Sequence, residues 1–186
     1  THSAACVVEN YDPQADDESE SDWYATVASV PLTGDWPTDV LTIAESQLGY
    51  RESVRNVVLQ EDGTLKGYSR YGDWYGIPHG DWCAMFTSFC LHYANVDSIP
   101  LQSSCSNWVD NLQNAGMYAS AADYTPKAGD IIFLDWNVDG NPEHVGIVAQ
   151  YFPPEEHDAA RVQCIEGNCN NTVCYTTYNQ ADPDIL

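Results

Sequence analysis

The chain has 186 residues, enough for one domain with a short appended segment, and its hydrophobic content of 44% is sufficient for a core. No apolar run approaches the roughly 18 residues that a membrane-spanning helix needs, so membrane insertion is not expected. Six basic residues against 28 acidic ones leave a net charge of −22. With no Lys/Arg cluster to neutralise phosphates, that charge argues against nucleic acid and anionic membranes as partners.

In chain order, the first segment differs from the rest. Residues 1–36 include "YDPQADDESESDWY", acidic, serine-rich and poor in branched apolar side chains, which is the composition of a linker or a loosely attached strap. The start at Thr1, with no methionine and no signal-peptide pattern, reads as a mature or excised fragment. Residues 37–186 carry the periodic segments of a domain. Pro37-Thr38 predicts a first helix with Thr38 as N-cap, a stripe of Val40, Leu41, Ala44 and Leu48, and Gly49 as its stop. "EDGTLKGYSRYGDWYGIPHGD" is rich in turn formers and aromatics and reads as a loop.

A helix over residues 81–94 follows, with Trp82, Met85, Phe86, Phe89 and Tyr93 at helical spacing. A third is expected from Ser106 to Ala115, capped by Gly116. After Lys127 the period changes to that of strands. "GDIIFLDW" and "HVGIVAQYF" predict a hairpin across "NVDGNPE", and "RVQCIEG" and "TVCYTTY" supply two more strands. Helices first and an antiparallel sheet afterwards predict an α+β fold.

Seven cysteines form an odd set: Cys6, Cys83, Cys90, Cys105, Cys164, Cys169 and Cys174. One free thiol and three disulfides would suit an oxidising compartment. The Cys164–Cys169–Cys174 spacing lacks the tight gap of zinc knuckles. Cys83 falls in the first turn of the predicted 81–94 helix, where unpaired N–H groups and the macrodipole favour a thiolate. Cys90, two turns further on, reads as a bridge or core thiol.

A thiolate nucleophile needs a base. His92 points to the face opposite Cys83, His2 and His157 lie in polar segments, and His79 is in a loop beside Pro78. His144 heads a strand, where sheet geometry would orient an imidazole. Glu166 and Asn168, two residues apart in "CIEGN", would project from one face of an extended chain. One could hold the imidazole tautomer and the other supply an amide near the reacting carbonyl.

Taken in order, "DWCAMFTSFC", "AGDIIFLDWNVDGNPEHVGIV" and "IEGN" resemble the three blocks of the CHAP family, the cysteine- and histidine-dependent amidohydrolase/peptidase domains. "IAESQLGYRES" and "RYGDWYG" resemble the approach to the cysteine block in secreted bacterial members, and the likeness spans about Val40 to Tyr178. It implies a papain-like fold, with N-terminal helices packed on an antiparallel sheet, and amide hydrolysis through a thioester acyl-enzyme. By position, Cys83 matches the nucleophile, His144 the base, Glu166 the orienting acid and Asn168 an accessory position.

The resemblance further implies a peptidoglycan or peptide substrate, cut at the N-acetylmuramoyl–L-alanine amide or within a stem or crossbridge. It implies a secreted or cell-wall location in a bacterium, and a monomer is expected. Tyr71, Trp74 and Tyr75 are candidates to line a substrate groove, or are packing residues instead. Some family members bind calcium in an acidic loop before the cysteine. Asp73 and Asp81 lie there, but "GDWYGIPHGD" lacks a dense oxygen-ligand pattern, so neither metal nor cofactor is expected. Two other readings stay open: an inactive wall-binding or adhesion module of the same fold, and a cysteine peptidase acting on ordinary proteins.

Overall fold

The computed structural model describes residues 16–186. Five helices precede a four-stranded sheet, with a two-stranded ribbon inserted among the helices. The fold is α+β. The acidic N-terminal segment is docked along its described length. Helix α1 (Glu20–Val27) starts in a capping box, in which the Asp22 carboxylate accepts from both the Ser19 N–H and hydroxyl. Trp23 and Val27 of α1 are buried in the main core, and the Trp23 indole N–H donates to the Tyr93 hydroxyl at 3.1 Å. Upstream of α1, Glu18 takes the Arg70 guanidinium in a two-point ion pair at 2.6 and 2.8 Å. Of the two readings that composition left open for residues 1–36, linker or strap, the described residues 16–36 form a strap fastened to the domain; residues 1–15 lie outside the described residues.

Helix α2 (Trp36–Glu45) begins two residues before the expected Thr38. Asp35 is its N-cap and accepts from the Thr38 N–H, and Pro37 fits the first turn because the N–H it lacks has no intrahelical partner there. Its inward face is Val40, Ile43 and Ala44. Leu48 is exposed, because the helix ends at Glu45 and a turn intervenes before Gly49. The expected loop over residues 61–81 instead contains strand β2 (Leu65–Gly67), paired with β1 (Val57–Leu59), and helix α3 (Arg70–Tyr75). Six residues are too few for helical periodicity to show; Ser69 and Gly76, its N- and C-caps, were the available signals.

Helix α4 (Cys83–Tyr93) is buried nearly all round, and α5 (Cys105–Asn114) is capped by the Ser104 hydroxyl. The sheet runs β3 (Ile131–Leu134), β4 (His144–Phe152), β5 (Arg161–Cys169), β6 (Thr172–Asn179), antiparallel throughout. The β5–β6 hairpin turns on Asn170 and Asn171, both at positive φ (52° and 63°), as a two-residue turn of matching twist requires.

Alternation along the strands splits the apolar residues between two cores. Phe133, Val145, Ile147, Ile165 and Val173 pack under the helices; Ile132, Leu134, Val148, Val162 and Tyr178 pack with Ile185 on the other face. Helix α4 lies directly on β4 and β5. Its approach is closest at Gly167, where any Cβ would stand 2.4 Å from Phe86 Cβ.

The strap makes a stability prediction. Breaking a buried ion pair by removing one partner strands the other charge, so Glu18→Ala is expected to cost about 3 kcal/mol in urea unfolding. The double variant Glu18→Ala/Arg70→Met should recover most of that loss.

Candidate active site

Cys83 is the first residue of α4, and His144 is the first of β4. The register of the sheet sets β5 beside β4, and Glu166 comes to lie against Gly146. His144 Nε2 meets Glu166 Oε2 at 2.9 Å, and the same oxygen accepts from the Thr176 hydroxyl at 3.2 Å. Cys83 is near enough to His144 for the imidazole to lower its pKa, and its Sγ lies 3.9 Å from the Glu143 carbonyl oxygen. Since Nε2 is engaged by the carboxylate, Nδ1 is the nitrogen left for sulfur. The three groups are 6%, 4% and 1% exposed, in the order Cys83, His144, Glu166, so they interact in a poorly hydrated environment.

The electrostatics favour an ion pair of thiolate and imidazolium. A hydrogen bond from the Cys105 thiol contributes most to lowering the Cys83 pKa. Burial opposes it, and the His144 ring and the Ala84 N–H add to it, bringing the thiol down to about 5. The Ala84 contribution is the helix N-terminus acting on the sulfur. For His144, burial alone would lower the pKa; hydrogen bonds to Cys83 and Glu166 and their charges overturn that and raise it to about 10. Cys90 and Cys164, by contrast, are pushed well up by burial and are inert core thiols.

The histidines passed over as the base, and one expected participant, are elsewhere. His79 is bonded to Asn56 at 2.9 Å, and His92 stacks near Trp74 at the far end of α4. Asn168 does not share the face of Glu166. The strand bulges between Glu166 and Cys169, Asn168 adopts φ 55°, and its side chain forms no hydrogen bond with Cys83, His144 or Glu166. Extended alternation was the premise for pairing the two residues, and the bulge removes it.

The aromatic groove of Tyr71, Trp74 and Tyr75 is also replaced. Tyr71 is wholly enclosed by Tyr50, Trp82, Phe86 and Phe89, with its hydroxyl donating to Gln47 Oε1. Trp74 packs on Phe89 and Tyr93 and carries Tyr75 beside it. At 1.5 Å per residue, Tyr93 is about 15 Å along α4 from Cys83, so Trp74 is remote from the sulfur, while Tyr71 stacks on Trp82 beside Cys83 but is fully buried core packing. The three expected disulfides are not formed either. Cys83, Cys90, Cys105, Cys164 and Cys169 all carry free thiols, and Cys6 lies outside the described residues.

Four residues at the site escaped sequence reasoning. Trp136, in the β3–β4 connection, stacks on the His144 ring with centroids 5.0 Å apart and planes 21° from parallel, while remaining 49% exposed. Cys105 places its sulfur 3.8 Å from that of Cys83. The available signal was the Ser104 cap, which puts Cys105 inside α5 rather than just before it. Thr176 and Gly146 carried no such signal. A Cβ on Gly146 would stand 2.8 Å from Glu166 Cγ, so the glycine is what admits the carboxylate.

As for cations, Asp135, Asp139 and Glu143 bring carboxylate oxygens within 4.8 Å of one another in the β3–β4 connection. Asp135 is already engaged by the Asp139 and Gly140 N–H groups.

The CHAP domain family model matches residues 72–168, just over half of the chain, and its span covers Cys83, His144 and Glu166. The chain belongs to the CHAP family, whose members are cysteine- and histidine-dependent amidohydrolases and peptidases acting on peptidoglycan or peptides. No curated protein and no solved structure matches it. Among the described residues, no helix is long and apolar enough to cross a membrane.

Two predictions follow from this geometry. Alkylation of Cys83 by iodoacetamide should run at the thiolate rate from about pH 5 upward. In His144→Ala the onset should move to higher pH yet stay short of the ordinary thiol range, because the Cys105 hydrogen bond, the largest contribution, remains. Gly146→Ala should displace the Glu166 carboxylate and lower amide hydrolysis on the order of 100-fold, with little change in overall fold by circular dichroism.

Proposed function

We propose that this protein is a peptidoglycan hydrolase that cleaves an amide bond, with Cys83 as nucleophile, His144 as acid and base, and Glu166 as the group that orients His144. The observation that carries the reading is the convergence of one sulfur, one imidazole and one carboxylate from three separate elements, with the 2.9 Å His144–Glu166 bond fixing the ring. Membership in the CHAP family supports the reaction class and the substrate class.

In this mechanism the Cys83 thiolate attacks the scissile carbonyl, forming a tetrahedral oxyanion. The Cys83 N–H belongs to the first turn of α4, where N–H groups lack intrahelical partners, and it is the candidate donor to that oxyanion. Such a donor is typically worth about 3–4 kcal/mol. The intermediate collapses to a thioester as the C–N bond breaks, and His144 imidazolium gives its Nδ1 proton to the leaving amine. Neutral His144 next takes a proton from water, whose oxygen attacks the thioester. The second intermediate expels the Cys83 thiolate, releases the carboxylic acid and leaves His144 protonated again. Glu166, through Nε2, holds the ring with Nδ1 toward sulfur. Trp136 shields the other face of the ring from water.

The rim of the site suits a substrate carrying free amines, as peptidoglycan stems do. Glu143 immediately precedes His144, and its carboxylate accepts from the Trp136 N–H at 2.8 Å; Asp81, two residues before Cys83, is exposed but already paired with Lys66 at 2.6 Å. The family likeness supports a secreted or wall-associated setting.

The test is digestion of purified peptidoglycan, with Cys83→Ala alongside wild type and products read by mass spectrometry. Free stem peptides would identify an N-acetylmuramoyl–L-alanine amidase, and new termini within stems or crossbridges an endopeptidase. Cys83→Ala should be inactive at unchanged melting temperature, and undiminished turnover by it would sink the assignment. Cys83 is anionic above its lowered pKa and His144 cationic below its raised one. The kcat/KM profile should therefore rise through about pH 5 and fall through about pH 10. Degradation of casein without action on peptidoglycan would select a general protein peptidase instead.

A further inference from the structure

The mechanism needs one sulfur, yet two stand together. Cys83 opens α4 and Cys105 opens α5, so packing of the two helix N-termini brings residues 22 apart in sequence to an Sγ–Sγ distance of 3.8 Å. Both thiols are nearly enclosed, and both are unbridged. A disulfide needs about 2.05 Å between sulfurs, so the pair must close by about 1.8 Å, a displacement that side-chain rotation can supply.

We propose that Cys83 and Cys105 are a reversible oxidation site, in which a hydroperoxide oxidises Cys83 and Cys105 resolves the product into a disulfide that silences the nucleophile. This rests on the reading of Cys83 as nucleophile. In the first step the thiolate attacks the terminal peroxide oxygen and the O–O bond breaks. Sulfur gives up two electrons to become a sulfenic acid, and the alkoxide or hydroxide leaves and takes a proton from His144 or solvent. In the second step the Cys105 sulfur attacks the Cys83 sulfur. The S–S bond forms and the S–O bond breaks, and the departing hydroxide leaves as water with the Cys105 proton. A dithiol restores both thiols by exchange and is itself oxidised to a disulfide.

The reactivities of the two sulfurs are suitably unequal. The hydrogen bond between them lowers Cys83 and raises Cys105 well above the usual thiol range, so Cys83 is the anion and Cys105 the held-back thiol. Thiolates, not thiols, react with peroxides. Consumption of the Cys83 anion removes the charge that held the Cys105 proton in place, which frees the second sulfur only after the first has reacted. Cys90 shares α4 with the nucleophile, but it is fully buried with its thiol pushed up by burial, and is not a competitor.

The experiment treats the full chain with hydrogen peroxide, quenches with catalase and divides the sample. Intact mass should fall by about 2 Da relative to the reduced chain, and a non-reducing peptide map should link the peptides containing Cys83 and Cys105. Hydrolysis should be lost in parallel and return with dithiothreitol. Cys105→Ser under the same treatment should pass to the sulfinic acid at Cys83, a gain of about 32 Da, with no recovery on reduction. A wild-type chain in which Cys83 reaches the sulfinic acid, or in which both sulfurs stay reduced while the thiolate is alkylated freely, overturns the proposal. Because the cross-link is read without substrate, a chain that forms it but hydrolyses nothing refutes the catalytic reading alone. An active enzyme that never forms it refutes the oxidation site alone.

Discussion

The close seating of α4 on the sheet governs where the chemistry stands. With no side chain at Gly167, Phe86 descends onto β5, and the helix is carried near enough for its first residue, Cys83, to reach the head of β4. A methyl group at that position would either lift the helix or distort the bulge that follows Glu166. A second glycine performs the complementary task one strand away, since Gly146 leaves the volume into which the Glu166 side chain folds. Two absent side chains thus set the spacing among three reactive ones. Because protein interiors pack near crystalline density, there is little slack to absorb a change at either place.

Local electrostatics then prevail over the charge of the whole molecule. A net charge of −22 disfavours an added anion, but that field is screened over about 8 Å in physiological salt. At the sulfur, the Cys105 thiol, the His144 ring and the Ala84 N–H are all within contact range and act through a medium of low polarisability. Burial works against both charged forms, and each is sustained by the other. The imidazolium is held by sulfur on one side and carboxylate on the other, with an indole face against its plane. The same proximity that makes Cys83 a thiolate also supplies the sulfur with which it could be linked, so activation and susceptibility to oxidation have a common cause.

The acidic strap illustrates how composition and structure part ways. Its charged and serine-rich run lacks the branched apolar residues of a core element, yet Trp23 and Val27 anchor it and Glu18 supplies the counter-charge to the Arg70 guanidinium, which also donates to Gln47. Few side chains suffice to dock a segment when each is matched to a prepared partner. Average composition does not register such matches.

Elements with strong periodicity or alternation could be read directly: α4, α5 and the four strands of the sheet lie within a few residues of their expected positions, as does the placement of Cys83 at a helix start and His144 at a strand start. Short elements could not. Helix α3 is shorter than two turns, and the α2 start was masked by a proline tolerated where its missing N–H has no partner. The bulge at Asn168 defeated a two-residue alternation argument, and of the α3 aromatics Tyr71 went into the core while Trp74 and Tyr75, half-buried, pack against it. By itself, then, the chain's order of residues determined the types of its long elements, the family and the candidate chemical groups, since those depend on local spacing and residue type. Only the tertiary structure decided that Cys105 and Trp136 join the site, that Asn168 and the α3 aromatics leave it, and that Cys83 and Cys105 stand close together and unbridged. Those outcomes depend on distances between segments remote in sequence, which packing sets and local pattern does not encode.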